Sequence, residues 1–253
     1  MLDSGVLESF LNNKTLNVLL FPEIDSTNLE AKRIAKNGLS EPFLIIADSQ
    51  TAGRGRLGRT FYSPPSTGIY LSYVYKPNAA IASGVSVTSA AAVAVCRAIK
   101  AVTELNPQIK WINDVYIDGK KVCGILCEAV TEGGRSDANC IVIGIGINVS
   151  TTDFPCELRE KAGSLGDRVI DRNRLAAEVV NQLEKVINDL GKRAFIDEYK
   201  KLSLVLGKQI TYIKNGVETR GIAVDVDNDG GLIVRLSDGS KTTLNTGEIS
   251  VKL

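Results

Sequence analysis

The chain contains no histidine. That absence removes any Ser–His or Cys–His nucleophilic pair and any zinc site that depends on imidazole. Acid–base chemistry must fall to Lys, Asp, Glu, Tyr, Cys or the substrate itself. Net charge is nearly absent as well: 30 Lys+Arg stand against 29 Asp+Glu, leaving +1 at pH 7. A chain-wide basic surface for nucleic acid is therefore disfavoured, while a local basic site is not. Cysteine is sparse and odd in number, at Cys96, Cys123, Cys127, Cys140 and Cys156. In 253 residues, too many to need covalent staples, these read as reduced thiols of a cytoplasmic protein. Cys123 and Cys127 fall on one strand face under simple alternation, which suits packing better than a metal. The first ten residues carry Asp3 and Glu8 with no basic lead, so no signal peptide is read there. The longest apolar stretch, Val85 to Val102, is interrupted by Ser86, Thr88, Ser89, Arg97 and Lys100. It suits a buried small-residue helix and makes a poor membrane span. What remains is ordinary for a globular protein, with 44% hydrophobic and 23% charged residues.

Hydrophobic periodicity and turn chemistry place the elements. Leu16 to Phe21 reads as a strand closed by Pro22. Asp25-Ser26-Thr27 reads as the cap of a helix from Asn28 to Asn37, stopped by Gly38. Phe43 to Asp48 and Gly68 to Tyr75 read as strands, and Ile81 to Thr103 as a long helix. Ile109 to Trp111 begins another strand. Val115 to Ile117 and Lys121 to Val130 flank Asp118-Gly119, a strong hairpin signal. Cys140 to Val149 reads as a buried strand, and Arg172 to Asn188 and Ala194 to Leu202 as helices.

The character changes after Leu206. Five short alternating runs follow: Gln209 to Ile213, Gly221 to Val226, Gly231 to Leu236, Lys241 to Leu244 and Ile249 to Val251. Turn signals at Asn215-Gly216, Asn228 to Gly231 and Asp238-Gly239 separate them. This spacing suggests a small SH3-like β-barrel, with the boundary near Leu202 to Gly207. Its six basic and six acidic residues balance, which disfavours a nucleic-acid role for the module.

Gly53-Arg54-Gly55-Arg56-Leu57-Gly58 is a literal GxGxxG. A dinucleotide site would need a helix directly after the glycines. Here Thr60-Phe61-Tyr62-Ser63-Pro64-Pro65 follows and then a strand, so that reading is set aside. The loop instead offers Arg54, Arg56 and Arg59 among glycines. Glycine lets backbone N–H groups approach a ligand, and guanidinium forks match phosphate and carboxylate. The plainer alternative is a solvated basic loop. A second cluster joins Lys110-Trp111-Ile112-Asn113-Asp114 to Lys121 across a polar turn and a hairpin. An ammonium at Lys121 suits a carboxylate or phosphoryl oxygen, though a lysine pair at a hairpin tip is common. Gly124, Gly144 and Gly146 within strands mark close approach by a ligand or another part of the chain. Asn148 adds an amide.

Together these segments resemble the biotin–protein ligases, also called biotin–acetyl-CoA-carboxylase ligases. The matching pieces are Asp25-Ser26-Thr27-Asn28, Gln50 through Arg59, Lys110 through Asp114, Lys121 through Leu126, and Gly144 through Asn148. The resemblance implies an α+β fold: a mixed sheet with flanking helices, like the catalytic domain of class II aminoacyl-tRNA synthetases. It implies a catalytic domain over 1–205 and the SH3-like module over 206–253. It implies a two-step reaction. Biotin and ATP, with magnesium, give biotinyl-5′-adenylate and pyrophosphate, and the acyl group then passes to a lysine of a biotin carboxyl carrier protein.

Carried over by motif, the biotin site would comprise Ser26, Thr27, Asn28, Gln50, Gly53, Arg54, Gly55, Arg56, Lys121 and Gly124. The nucleotide would meet Arg56, Arg59, Phe61, Asn113, Lys121 and Asn148. Lys121, Arg56 and Arg54 would be catalytic, and Asp114 would support the metal. Two departures stand out: Ile112 replaces the usual proline between Trp and Asn-Asp, and Phe61 stands where Trp is frequent. About twenty-five residues precede the Ser-Thr-Asn motif, too few for the helix-turn-helix of the repressor members. No DNA binding and no membrane association are therefore expected. The family often forms homodimers, for which an exposed sheet edge would serve. Two rival readings remain: a lipoate or octanoate ligase or transferase, and a non-catalytic biotin-binding regulator.

Overall fold

A computed structural model of the chain describes residues 1–37, 42–77, 84–131, 140–166, 168–214 and 216–251. The first half builds a seven-stranded sheet. Its strands are β1 (Asn17–Ile24), β2 (Phe43–Gln50), β3 (Gly68–Tyr75), β4 (Gln108–Lys110), β5 (Asp114–Ile117), β6 (Lys120–Val130) and β7 (Cys140–Asn148). Their order is β1-β2-β3-β7-β6-β5-β4. Only β1 and β2 are parallel. The helix α2 (Thr27–Lys36) makes the crossover between them.

β1 runs through Pro22 instead of stopping there. It is an edge strand, so the missing proline N–H breaks no ladder on a second side. The helix α1 (Ser4–Phe10), which periodicity did not reveal, precedes it. Asp3 caps α1 through its carboxylate on the Val6 N–H. The Asp118-Gly119 turn is as expected. Both residues have positive φ, 48° and 76°, the type I′ geometry that a two-residue hairpin requires.

Helices cover both faces of the sheet. On one face, α2 places Ala31 and Ala35 over Phe43, Ile45, Val74 and Val142. On the other lie α3 (Gly84–Thr103), α4 (Arg172–Asn188) and α5 (Phe195–Leu202). α3 is long and apolar enough to cross a membrane by composition, yet it is the core helix. Its alanines 90, 91, 92, 94 and 98 are wholly buried, and small side chains let the sheet and α4 pack close. The part of this helix expected at residues 81–83 lies outside the described residues.

The C-terminal residues form β8 (Gln209–Lys214), β9 (Val217–Val226), β10 (Leu232–Arg235), β11 (Lys241–Leu244) and β12 (Ile249–Val251). All pairs are antiparallel, in the order β11-β10-β9-β8-β12. Among the described residues no ladder joins β11 to β12, so the expected barrel is here a five-stranded sheet. Asn215, in one expected turn, lies outside the described residues. The module's apolar side chains, Ile210, Ala223, Leu232 and Ile249 among them, belong to the same core as α3 and α4. Polar ties reinforce the junction. Trp111 Nε1 donates to the Gly230 carbonyl at 2.9 Å, and Lys200 pairs with Asp225 at 2.8 Å.

Candidate active site

The first turn of α2, the end of β2, the arginine loop and the β4–β5 corner converge over β6 and β7. They enclose a cavity of about 150 Å³. Its sides differ chemically.

One side is neutral and interlocked. Ser26 occupies the N-cap position of α2, but its side chain makes no capping bond, contrary to the expected cap. The buried residue lines the cavity instead. Asp25 bonds back to the Ser26 N–H and pairs with Arg33. Gln50 Oε1 accepts from the Thr27 N–H at 2.9 Å and lies 3.2 Å from Thr27 Oγ1. Gln50 Nε2 donates to Ser63 Oγ at 2.9 Å. Ser72 Oγ lies 2.8 Å from Thr27 Oγ1 and 2.6 Å from Asn28 Oδ1, and its single proton serves that group. These side chains hold one another before any ligand arrives.

The floor explains the strand glycines. A Cβ on Gly144 would overlap the Asn28 carboxamide. One on Gly146 would lie 2.5 Å from the Phe61 ring, and one on Gly124 would press on Phe61 and Lys121 at 3.2 Å. The close approach is therefore made by the chain's own side chains. Phe61 also meets Tyr70 edge-on, with centroids 6.3 Å apart.

The opposite side is cationic. The loop is a small hairpin: Arg54 bridges to Thr60, and the Gly55 N–H donates to Arg59 O at 2.7 Å. At its tip Leu57 and Gly58 both have positive φ, and Leu57 is 74% exposed. β3, not a helix, is the next regular element, which removes the dinucleotide reading. Arg56 Nη1 donates to Asn113 Oδ1 at 3.0 Å, while Asn113 Nδ2 donates to Ile125 O at 3.0 Å. Asn113 thus anchors Arg56 to β6. Arg59 pairs with Glu248 at 2.5 Å.

Lys121 enters the cavity because of a β-bulge. Val115 faces Cys123 and Tyr116 faces Lys121, so Val122 is the extra residue. Val122 turns into the core, and Lys121 points to the cavity, with its Nζ 2.7 Å from Asp114 Oδ1. The Lys121 backbone is held too: its N–H donates to Lys161 O and its carbonyl accepts from the Gly163 N–H, both at 2.9 Å.

Thirteen of the expected residues line one cavity: Ser26, Thr27, Asn28, Gln50, Arg54, Gly55, Arg56, Arg59, Phe61, Asn113, Asp114, Lys121 and Gly124. Two do not. Gly53 lies behind the wall, where a Cβ would meet the Phe61 carbonyl and Ser63. Asn148 is buried at the end of β7 and donates to the Gly163 carbonyl at 3.0 Å. Sequence reasoning gave no role to Lys110, which lines the cavity. Burial lowers its pKa, helped by the Lys121 and Arg59 charges and opposed by Asp114 and Glu248. It also missed Gly247, Glu248 and Ile249, which the C-terminal module brings to the cavity. Lys110 stood within a quoted motif. Glu248 lies 189 positions from its partner Arg59, and no local signal connects them.

Residues 20–148 match the biotin/lipoate A/B protein ligase family, and residues 205–252 match the biotin protein ligase C-terminal domain. The bifunctional ligase/repressor BirA of Bacillus spizizenii is 34% identical over 224 residues, 86% of this chain and 69% of that protein. The biotin–[acetyl-CoA-carboxylase] ligase of Mycobacterium tuberculosis is 30% identical over 235 residues, 88% of this chain and 85% of that protein. Among solved structures, the biotin protein ligase from Aquifex aeolicus in complex with biotin and ATP superposes with a TM-score of 0.79. It is 27% identical and covers 93% of this chain and 98% of its own. The chain thus belongs to the biotin/lipoate A/B protein ligase family, on its biotin protein ligase branch.

Proposed function

We propose that the cavity binds biotin and ATP and joins them as biotinyl-5′-adenylate, and that the biotinyl group then passes to a lysine of a biotin carboxyl carrier protein. One observation carries this reading: a preformed neutral wall and a cluster of cations share a single cavity. The ureido group of biotin needs neutral donors and acceptors, and Ser26, Thr27, Asn28 and Gln50 supply them. Its carboxylate and the phosphates need positive charge, and Arg54, Arg56, Arg59 and Lys121 supply it.

In the first step a carboxylate oxygen of biotin attacks the α-phosphorus. The bond from that phosphorus to the β-bridging oxygen breaks, and pyrophosphate leaves. A carboxylate is already a nucleophile at pH 7, so no histidine is required. The residues position the reactants and neutralise the charge growing on phosphorus. Lys121 would sit between carboxylate and phosphate, and Arg56, braced by Asn113, would hold a phosphate oxygen. Magnesium usually keeps waters and substrate phosphates with one or two protein carboxylates, and Asp114 fits that sparse need. The ion would supply further neutralisation of the phosphates. In the second step the acceptor amine attacks the acyl carbon and AMP departs. The amine's proton goes to Asp114 or to the adenylate phosphate.

A cytoplasmic setting belongs to the same reading, with ATP at hand and Cys96, Cys123, Cys127 and Cys156 as free thiols. The test is biotin-dependent exchange of pyrophosphate into ATP, followed by transfer to a carrier domain. Exchange driven by lipoate and not by biotin would overturn the substrate. Biotin binding without exchange would make the chain a regulator and not a ligase.

A further inference from the structure

Glu128 is a carboxylate beside the cavity that no step above uses. It sits on β6 with its side chain only 18% exposed. Three groups converge on it. Lys32 Nζ lies 2.5 Å from Oε1, and Asn28 Nδ2 donates to Oε2 at 3.0 Å. Arg54 Nη2 stands off at 4.0 Å. Asn28 and Lys32 are four residues apart on α2, so both reach the same partner. Burial pushes the Glu128 pKa up, but the hydrogen bonds and charge from its partners outweigh that and hold it below the usual carboxylate value.

The consequence lies with Asn28. A carboxamide has two ends of nearly equal size, and its neighbours decide which end faces where. An ionised Glu128 only accepts, so it takes the NH2 end at 3.0 Å, and the Leu126 carbonyl takes a weaker share of the same NH2 at 3.3 Å. That turns Oδ1 toward the Ser72 hydroxyl at 2.6 Å, in the space left by the missing Gly144 side chain. Ser72 in turn touches the Thr27 hydroxyl, which lies 3.2 Å from Gln50 Oε1. The orientation of one amide is thereby passed along the neutral wall.

We infer that Glu128 is a positioning residue for biotin recognition: it fixes the Asn28 carboxamide and, through Ser72, the hydrogen-bond polarity of the Thr27–Gln50 wall. This rests on reading that wall as the biotin site. Lys32 neutralises the added charge, so the device leaves the cationic side of the cavity intact.

The assay is biotin-dependent ATP–pyrophosphate exchange by the full chain, titrated separately with biotin and with ATP. Glu128→Ala should raise the KM for biotin by about tenfold, the scale of a buried hydrogen bond to a charged group. The kcat and the KM for ATP should stay within about twofold. Glu128→Gln keeps an accepting oxygen and should stay within about threefold of the parent. A polarity swap tests the idea even if the alanine variant folds poorly. Asn28→Asp alone sets two carboxylates against each other and should weaken biotin. Adding Glu128→Gln gives an amide that donates to the new carboxylate and should recover most of the loss.

A parent-like biotin KM in Glu128→Ala or in Asn28→Asp would overturn the inference. So would a double variant no better than Asn28→Asp, or a parallel loss in kcat and in ATP affinity. A parent chain that binds biotin without exchange defeats the ligase reading alone, and calorimetric biotin titration of the same variants then decides the inference. A parent chain that neither exchanges nor binds biotin defeats both.

Discussion

The two sides of the cavity are built on opposite rules. The wall of Ser26, Thr27, Asn28 and Gln50 is neutral, and Thr27, Asn28 and Gln50 are tied into one network with Ser63 and Ser72 behind. The arginine side is charged and partly solvated, with side-chain exposures of 43% at Arg54 and 68% at Arg59. Neutral hydrogen bonds are directional and weak, so a wall that reads a small polar group must be fixed beforehand. Coulomb attraction acts at longer range and tolerates displacement, so cations can ride on a loop and close over an anion. Rigidity and charge have been placed where each is useful.

Variants that strike one side only can break this contrast. The largest effect should come from Lys121→Ala. It removes the lysine paired to Asp114 in the cavity, and exchange should fall by more than about tenfold. Near-normal exchange in that variant would remove Lys121 from the reaction. Next is Gly144→Ala, which pushes a methyl into the Asn28 carboxamide. It should cost about 1–3 kcal/mol of stability by overpacking and weaken biotin more than ATP. Equal damage to both substrates would erase the proposed division. Limited proteolysis reads the loop directly: Gly53 to Arg59 should be cut in the free chain and protected by biotin plus ATP. Unchanged cutting would mean that the arginines do not close.

Smaller effects should mark the periphery. Arg59 and Glu248 form a solvated pair, and Glu248→Ala should change exchange by less than about threefold. A larger loss would give the C-terminal module a direct part in the chemistry. The smallest effect concerns pH. The Glu128 carboxyl binds its proton less tightly when folded, so its contribution to stability is present at neutral pH and above the ordinary value of 4.5. It fades as pH falls through the lowered folded value. Glu128→Gln should therefore lower the urea midpoint at pH 7, and the gap to the parent should narrow in acid.

Much of the fold was legible in the residues because the signals were local. Asp118-Gly119 demanded its turn, the small-residue run from Val85 demanded burial, and α4 begins and ends where its periodicity does. The errors were also local rules overruled from outside. Pro22 fails to end β1 because an edge position forgives it. Ser26 holds the N-cap position without a side-chain cap bond, and it lines the cavity. The site was legible where motifs gathered charge on glycine, as at Arg54, Arg56 and Arg59. It was not legible at Glu128 or Glu248, each an ordinary acid on a strand or at its entry until the fold supplies its partner.

The sequence by itself determined what kinds of group are available. With no histidine, acid–base chemistry was left to Lys, Asp, Glu, Tyr, Cys or the substrate, and the motifs gathered arginine and lysine beside glycine. Composition and motif spacing carry that much because they count residues, and counting needs no coordinates. Only the tertiary structure decided which groups meet. The bulge at Val122 aims Lys121, Gly144 makes room for Asn28, and the C-terminal sheet brings Glu248 to Arg59. Those pairings depend on close packing between segments far apart in the chain, and short-range periodicity does not reach that distance.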